Sequence, residues 1–316
     1  MIITIEGPTA AGKTAFALQL AKALNTEIIN ADSRQVYRYM DIGTAKPNRE
    51  ELTAVPHHLI DIIEPNQSFN AGCFVKDADN LIAQLQAAGK TPIVCGGTGL
   101  YIRSLVEGLF EHPPIDPALR AELKTQLYEQ GQRAMYARLQ EVDPAFAARI
   151  SEHDPQRILR GLEVYLGTGK SISAHWLAQK RDPRHQAVRI LLTLPRDELY
   201  LRINSRVHHM LNTGLLAEIE GLLLRGYTWH DPGLRTMGYK EFQPCLEAGI
   251  PAADCALLVA QHHRNFAKRQ LTWYRNCRFD LTICPHSFSL SDILREIQTR
   301  YMRFKEESGE NHSQSS

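Results

Sequence analysis

The sequence predicts an α/β protein that has a mostly parallel sheet and a mostly helical insertion, and three observations support this fold class. Short apolar, β-branched runs recur along the chain, and most are separated by amphipathic helical stretches. A glycine-rich turn follows the first of these runs, and the alternation stops between about residues 113 and 184. Because strands that alternate with helices favour a parallel sheet covered on both faces, ligands are expected at the carboxyl ends of the strands.

The first predicted strand, IITIE, leads directly into the stretch GPTAAGKT. This stretch fits the pattern G-x-x-x-x-G-K-[ST], in which backbone amides surround a phosphate chain, the lysine neutralises it and the hydroxyl reaches Mg²⁺. The helical pattern KTAFALQLAKAL follows. Strand, loop and helix together predict a P-loop NTPase-like core whose phosphate site consists of Gly7, Pro8, Thr9, Ala10, Ala11, Gly12, Lys13 and Thr14.

The second predicted strand, EIINAD, ends at Asp32, close to the expected position of the phosphate loop. A carboxylate there can coordinate Mg²⁺ or accept a proton from a nucleophile, although NADS is also typical of a helix or turn cap. The later strand TPIVCGG is followed by Thr98. It lacks the terminal Asp that often anchors magnesium in ATPases, which disfavours a motor-type ATPase.

The remaining predicted strands are HLIDII, VRILLTL and FDLTIC. The turn-rich segments HPPIDP and KRDPRH flank the helical region and are typical of the neck of an inserted subdomain. We therefore expect a catalytic core over residues 1–112 and 185–304, and a helical insertion over 113–184. The polar residues 305–316 are expected to be a disordered tail.

Two positively charged features have more than one interpretation. The segment RNFAKRQLTWYRNCR, residues 264–278, contains basic and aromatic side chains without an acidic one, as in RNA-binding surfaces. A solvated helix face with a buried aromatic side is equally consistent with this composition. Arg202 and Arg206 have i, i+4 spacing and can clamp a diphosphate, or they can form ordinary surface salt bridges.

The overall composition limits the possible partners and compartment. With 36 Lys and Arg against 35 Asp and Glu, any nucleic-acid surface must be local. The six cysteines show no zinc spacing and are expected to be reduced thiols. No uncharged apolar run approaches the length of a membrane span, and the phosphate loop begins too early for a cleavable leader. We expect a cytoplasmic protein, a monomer, without a membrane partner.

Six stretches, taken together, are similar to the motif series of bacterial tRNA dimethylallyltransferases. They are GPTAAGKT, NADSRQVYRYMDIGTAKP, HHLIDIIEP, GGTGLYIRSLVEG, TMGYKE and KRQLTWYR. The resemblance extends from residue 2 to about residue 285, with no departure at the phosphate loop, at Asp32 or around Thr98. The six motifs in combination are specific, whereas the phosphate loop alone would not be.

The resemblance implies a function, a cofactor and two partners. The dimethylallyl group of dimethylallyl diphosphate would pass to the exocyclic N6 amine of the adenosine 3′ of the anticodon in tRNA, with diphosphate as the leaving group. Asp32 would be the general base, and Thr14 and Asp32 would hold Mg²⁺. Lys13, Thr14 and Arg206, with backbone amides from Pro8 to Gly12, would stabilise the departing diphosphate.

The resemblance also implies which residues contact the anticodon stem-loop. They come from the loop after the second strand, the helical insertion and the basic segment near the carboxyl end. The expected contacts are Asp32, Ser33, Arg34, Gln35, Thr98, Arg120, Gln156, Arg157, Ile158, Leu159, Arg160, Met237, Gly238, Tyr239, Lys268, Arg269, Gln270, Trp273 and Arg275.

Two alternatives stand beside this prediction. In a P-loop small-molecule kinase, the same loop would hold ATP and Asp32 would activate an acceptor hydroxyl. In a phosphate-loop RNA-binding switch, the RNA surface would be present without catalysis. The kinase leaves the helical insertion and the basic segment without a role, and the switch gives Asp32 no chemical function.

Overall fold

Six strands of the described chain form one parallel sheet. The computed structural model describes residues 1–108, 114–178 and 183–307. Within them the strands are β1 (Ile2–Glu6), β2 (Ile28–Asn30), β3 (His57–His58), β4 (Ile93–Gly96), β5 (Ala187–Leu192) and β6 (Leu281–Ile283). Their order is β3-β2-β4-β1-β5-β6, and all five neighbouring pairs are parallel. The predicted α/β fold class is confirmed.

Helices connect the strands and form most of the insertion. In chain order they are α1 (Lys13–Leu24), α2 (Arg49–Ala54), α3 (Ala71–Ala87), α4 (Gly99–Glu107), α5 (Pro117–Gln130), α6 (Gln132–Val142), α7 (Pro144–Ala147), α8 (Pro155–Thr168), α9 (Ile172–Ala178), α10 (Arg196–Asn212), α11 (Leu215–Leu224), α12 (Gln243–Ala248), α13 (Ala252–Tyr274) and α14 (Leu290–Glu307). A 3₁₀ helix, Lys240–Phe242, precedes α12.

The core around β1 fixes the position of the phosphate loop. All five residues of β1 are buried, as expected for a central strand covered on both faces. Phe16 and Leu20 of α1, with Ile293 and Ile297 of α14, belong to the same apolar cluster as the strand residues. The loop that follows β1 therefore starts from one of the most completely buried strands of the sheet.

The third predicted strand, HLIDII, is wrong over most of its length. Only β3, His57–His58, pairs with β2. Leu59 and Asp61 have φ of +62° and +56°, which interrupts an extended strand. Pairing resumes as a single bridge between Ile63 and Tyr37.

The chain divides into two compact units, Met1–Glu107 with Pro183–Ser316 and Gly108–Asp182. The second unit corresponds to the predicted insertion at 113–184, with both limits lying earlier in the chain. Its helices α5–α9 surround an apolar cluster of their own that includes Leu123, Leu139 and Leu162. Of the expected tail, residues 305–307 continue α14, contrary to the prediction, and 308–316 lie outside the described residues.

Candidate active site

The loop between β1 and α1 has the backbone that an anion site requires. Gly7 is at φ +153°, and a Cβ on it would lie 2.4 Å from the carbonyl oxygen of Leu192. Gly12 adopts a left-handed conformation, with φ of +88°. α1 begins at the next residue and has no acidic side chain in its first turn. The positive end of the helix dipole therefore faces the loop without a competing carboxylate from that turn.

The predicted set of amide donors needs correction at three positions. Pro8 has no backbone N–H and cannot donate. The Thr9 amide donates to the Oε1 atom of Gln270 at 2.9 Å. The Ala11 amide donates to the carbonyl of Pro8 at 3.3 Å. The amides that remain for a bound diphosphate are those of Ala10, Gly12, Lys13 and Thr14.

Two cationic side chains converge on this loop. Lys13 Nζ donates to the carbonyl of Pro8 at 2.8 Å. Arg206, on α10, donates from Nη1 to the hydroxyl of Thr9 at 3.2 Å. The buried Nε of Arg206 has no hydrogen-bond partner within the described part of the chain. An unsatisfied buried donor beside an amide-lined loop indicates an anionic ligand.

Arg202 and Arg206 do not form a symmetric clamp. Arg206 reaches the phosphate loop, whereas Nη2 of Arg202 bonds to Glu198 at 2.9 Å and to His286 at 3.0 Å. The Arg202 guanidinium still lies within 3.8 Å of a Cβ placed on Gly12. The salt-bridge interpretation therefore holds for Arg202, and the phosphate interpretation fits Arg206.

Burial lowers the pKa of three basic side chains around the loop. The pKa of Lys13 is lowered to about 8, mainly by burial and to a smaller extent by the nearby Arg206, while Cys95 and Asp32 act in the opposite direction. Burial also lowers the pKa of Arg206, again opposed by Asp32. Burial, followed by Arg206, lowers the pKa of His263 to about 4, so this imidazole is neutral at pH 7. Lys13 and Arg206 remain the cations beside the loop.

Asp32 follows β2 and is held by its own turn and by the neighbouring strand. Its Oδ1 accepts the backbone N–H of Arg34 at 2.8 Å. The next residue, Ser33, donates its amide to the hydroxyl of Thr98 at 3.0 Å. The capping interpretation is therefore correct for one carboxylate oxygen, and the bond to Arg34 leaves the second oxygen, Oδ2, for chemistry.

One cavity of about 1210 Å³ brings these groups together. Its lining includes the phosphate loop, Asp32–Gln35, Gly96–Thr98, Arg206 and α13. The site thus lies at the carboxyl ends of β1, β2 and β4, as the parallel sheet predicts. A cavity of this size exceeds the usual range for a small-molecule site and has room for a diphosphate together with a nucleobase.

α13 presents part of the basic segment to solvent. Lys268, Arg269 and Arg275 are exposed, and Arg269 also lines the cavity. Trp273 is half-buried, with the guanidinium of Arg103 5.7 Å from its ring centroid. Gln270, in contrast, is buried and bonds to the loops of the active site. The RNA contact predicted for Gln270 does not fit this burial.

The motif TMGYKE is placed differently from the prediction. Tyr239 is fully buried, and its hydroxyl donates to Glu218 at 2.6 Å; Gly238 is also buried. The burial of Gly238 and Tyr239 does not fit the direct RNA contacts predicted for them. Met237 lines the cavity together with the exposed Arg235 and Lys240. Lys240 belongs to the predicted motif, whereas Arg235 lies immediately before it and was not predicted.

Glu218 and Gln35 organise the turn that forms one wall of the cavity. Glu218 accepts the backbone amides of Asp41, Ile42 and Gly43 at 2.8, 2.8 and 3.2 Å. Gln35, a predicted RNA contact, donates from Nε2 to the carbonyls of residues 44 and 45. The Nε2 group of Gln35 is thus engaged within the protein, whereas Arg34 is exposed.

The predicted RNA contacts of the insertion separate into two groups. Gln156 and Arg157 are exposed at the start of α8. Ile158 and Leu159 are buried in the apolar cluster of this unit, so contacts by their side chains are wrong. The misassigned pair belongs to the apolar stripe of α8, which packs against α6. Arg120 and Arg160 both donate to Glu163, at 3.2 and 3.1 Å, and are partly exposed.

The site offers oxygen donors for Mg²⁺ but no complete protein cage. Thr14 and Asp32 line the same cavity. No group of three His, Cys, Asp or Glu side chains able to hold a metal occurs within residues 1–108, 114–178 and 183–307. Magnesium typically uses one or two protein oxygens, several waters and substrate phosphates. A hydroxyl and a carboxylate beside a diphosphate site fit this preference.

Comparison with known proteins identifies the family. A family model described as IPP transferase matches residues 35–277. The chain belongs to the IPP transferase family. The matched range contains Thr98, Arg206 and all of α13, and it begins just after Asp32.

Relatives of this IPP transferase family member are similar over nearly its whole length. A tRNA dimethylallyltransferase of Syntrophobacter fumaroxidans is 45% identical over 276 residues, which are 87% of this chain and 80% of the relative. The solved structure of the full-length tRNA isopentenylpyrophosphate transferase from Bacillus halodurans matches with a TM-score of 0.71 and 35% identity. The match covers 98% of this chain and 99% of the Bacillus halodurans chain.

A solved structure of a eukaryotic dimethylallyltransferase acting on tRNA is also similar to this chain. This dimethylallyltransferase matches with a TM-score of 0.75 and 29% identity over 86% of this chain and 69% of its own. Similarity at this level over most of the chain supports the P-loop-type fold for the IPP transferase chain. Among the described residues, no helix has the length and apolar character that crossing a bilayer requires.

Proposed function

We propose that this protein transfers the dimethylallyl group from dimethylallyl diphosphate to N6 of the adenosine 3′ of the anticodon in tRNA. Family membership and the names of its relatives support this activity over an ATP-dependent kinase. The observation that carries the proposal is a cavity in which Lys13 and Arg206 lie beside the phosphate loop and Asp32 lies close enough to raise the pKa of both.

The reaction is a displacement at an allylic carbon. The C1–O bond of the substrate breaks, its electron pair leaves with the diphosphate, and a new bond forms between C1 and N6. Negative charge grows on the diphosphate as positive charge grows on the five-carbon group. Lys13, Arg206 and the four available amides are already in place to stabilise that leaving charge, which is how a preorganised site lowers a barrier.

Asp32 is the base in this proposal. The N6 lone pair is delocalised into the adenine ring, so removal of a proton as the new bond forms assists the attack. Because Oδ1 is held by the amide of Arg34, Oδ2 accepts that proton. To reach Asp32 the adenine must leave its stack in the anticodon loop, which costs a few kcal/mol that RNA contacts elsewhere must offset.

Magnesium belongs to the proposal as a cofactor. Thr14 and Asp32 would supply its protein oxygens, and the diphosphate would supply others. When bound, the ion neutralises the developing charge of the leaving group. The residues of this chain orient the diphosphate, and Lys13 contributes its charge from the first turn of α1.

The tRNA is proposed to contact the exposed basic and polar residues around the cavity mouth and on the insertion. In the core these are Arg34, Lys268, Arg269 and Arg275, together with Met237, Ser33 and Thr98 along the cavity wall. In the insertion they are Arg120, Gln156, Arg157 and Arg160. We also propose a monomer in the cytoplasm, since one chain supplies the whole cavity and all six cysteines are free thiols.

The deciding experiment supplies both substrates. Purified protein, an anticodon stem-loop and labelled dimethylallyl diphosphate with Mg²⁺ should yield labelled N6-isopentenyladenosine on nucleoside analysis. A stem-loop with guanosine in place of the target adenosine should remain unlabelled. Turnover of ATP with small acceptors, without transfer of the isopentenoid group, would instead identify a kinase. Stem-loop binding without any product would identify an RNA-binding switch.

The exposed cations of α13 give a salt-dependent prediction. Lys268→Gln or Arg269→Gln should weaken stem-loop binding and reduce the slope of log affinity against log salt by about one, since each cation releases counterions from the phosphate backbone. Lys22→Gln, at the far end of α1 from the phosphate loop, is the matched control and should leave the slope unchanged. An unaltered slope in all three variants would remove α13 from the RNA surface.

A further inference from the structure

The side-chain amide of Gln270 bridges two loops of the active site. Its Oε1 accepts the amide of Thr9 at 2.9 Å, and its Nε2 donates to the carbonyl of Gly97 at 2.8 Å. The residue is only 7% exposed, and both ends of its amide are engaged. Gln270 lies in the middle of the basic segment of α13 but is buried, unlike its exposed neighbours Lys268 and Arg269.

In the proposed reaction, one of the two loops binds the leaving diphosphate and the other adjoins the loop that carries the general base. The loop at Thr9 holds the phosphate site, and the hydroxyl of Thr9 accepts from Arg206. The loop at Gly97 continues into Thr98, whose hydroxyl accepts the amide next to Asp32 in the chain. Hydrogen bonds through Gln270, together with the covalent backbone link from Gly97 to Thr98, therefore connect the leaving-group site to the loop that carries Asp32.

Tyr274, one helical turn after Gln270, reinforces the same bridge. Its buried hydroxyl lies 3.3 Å from the carbonyl of Gly7 and 3.4 Å from that of Gly97. Residues at i and i+4 share one face of a helix, so α13 presents both polar groups to the two loops at once. Gly97 is also closely packed, because a Cβ on it would lie 2.8 Å from Nε2 of Gln270.

We propose that Gln270 is a positioning residue that sets the separation between the diphosphate loop and the loop carrying Asp32. This role rests on the proposed transfer reaction and differs from the RNA contact that the family motif implies for Gln270. A displacement requires the base, the nucleophile and the leaving group to be aligned within a fraction of an ångström. An amide that fixes both loops therefore contributes to kcat more than to substrate affinity.

The test compares Gln270→Met with wild type. Methionine has a similar length and volume but forms neither bond. Loss of both bonds is expected to lower kcat about 30-fold, or about 2 kcal/mol. The KM for dimethylallyl diphosphate should change by less than about threefold, and stem-loop affinity by less than about twofold, if the role is positioning. Gln261→Met, an exposed site on the same helix, is the matched control and should behave as wild type.

Each other outcome has a definite meaning. Weaker stem-loop binding with an unchanged kcat would identify Gln270 as an RNA contact and overturn the proposal. Wild-type kinetics in Gln270→Met would also overturn the proposal. If thermal melting shows that this variant is unfolded, Tyr274→Phe decides, because it removes only the Tyr274 hydroxyl that contacts the same two loops. A kcat lowered about threefold is expected there, since both bonds of Tyr274 are long, and an unchanged kcat would overturn the bridge. Failure of wild type to transfer the prenyl group would reject the proposed function instead.

Discussion

Asp32→Asn is expected to lower the rate of prenyl transfer by at least about 100-fold while leaving stem-loop affinity nearly unchanged. The range for a general base is about 10²–10⁴. Asparagine keeps the shape of the side chain and an oxygen that can accept the amide of Arg34, but it cannot take the N6 proton. Single-turnover transfer and stem-loop binding, measured on the same preparation, separate the two effects.

Two controls distinguish the base from other roles of this carboxylate. Asp41→Asn changes an exposed carboxylate of the same cavity, and Lys46 retains its second partner, Asp61, so transfer should stay within about threefold of wild type. Raising the Mg²⁺ concentration should not restore Asp32→Asn. Full recovery at high Mg²⁺ would make Asp32 a metal ligand only, and an equal loss of binding and rate would make it an RNA contact.

Lys13→Met should lower kcat/KM for dimethylallyl diphosphate by about 10³, the upper range for removal of one preorganised donor from a developing oxyanion. The ammonium of Lys13 lies against the phosphate loop, and burial makes its charge more effective than an exposed one. Lys22→Met makes the same change in the last turn of the same helix and should have no effect. Activity retained in Lys13→Met would place the diphosphate elsewhere.

The lowered pKa of Lys13 also predicts a pH profile. The amine is protonated below about pH 8 and neutral above it, so kcat/KM for dimethylallyl diphosphate should fall as the pH rises through about 8. Lys13→Arg keeps its charge throughout this range, so whatever activity it retains should not show the decline. The same fall in Lys13→Arg would assign the titration to another group.

The fold could be predicted because its signals are local. Apolar runs, helical periodicity and the loop pattern each lie within a few residues, and the parallel sheet follows from their alternation. The third strand failed because its composition is β-rich, whereas positive φ at Leu59 and Asp61 turns the chain after two residues. A backbone conformation imposed by packing is not visible in composition.

Several of the predicted RNA contacts are buried, whereas the predicted phosphate-loop residues form the expected loop between β1 and α1. A motif indicates which residues are close in sequence to a function, but not which of them face outward. Tyr239, Ile158 and Leu159 belong to predicted contact segments, yet their side chains are buried in two different apolar clusters. Arg235, which lies just before the motif TMGYKE and lines the cavity, was not predicted, since an exposed charge near a motif looks like any other surface residue.

The sequence by itself determined the phosphate loop, the candidate carboxylate and the class of fold, because each depends on residue types at short, fixed spacings. Only the tertiary structure decided that Arg206 reaches Thr9 across 197 positions of sequence, and that Gln270 joins Thr9 to Gly97. Such contacts depend on how α10 and α13 pack against the sheet. Side-chain direction after packing, rather than residue identity, separates a group that binds substrate from one that holds the site in place.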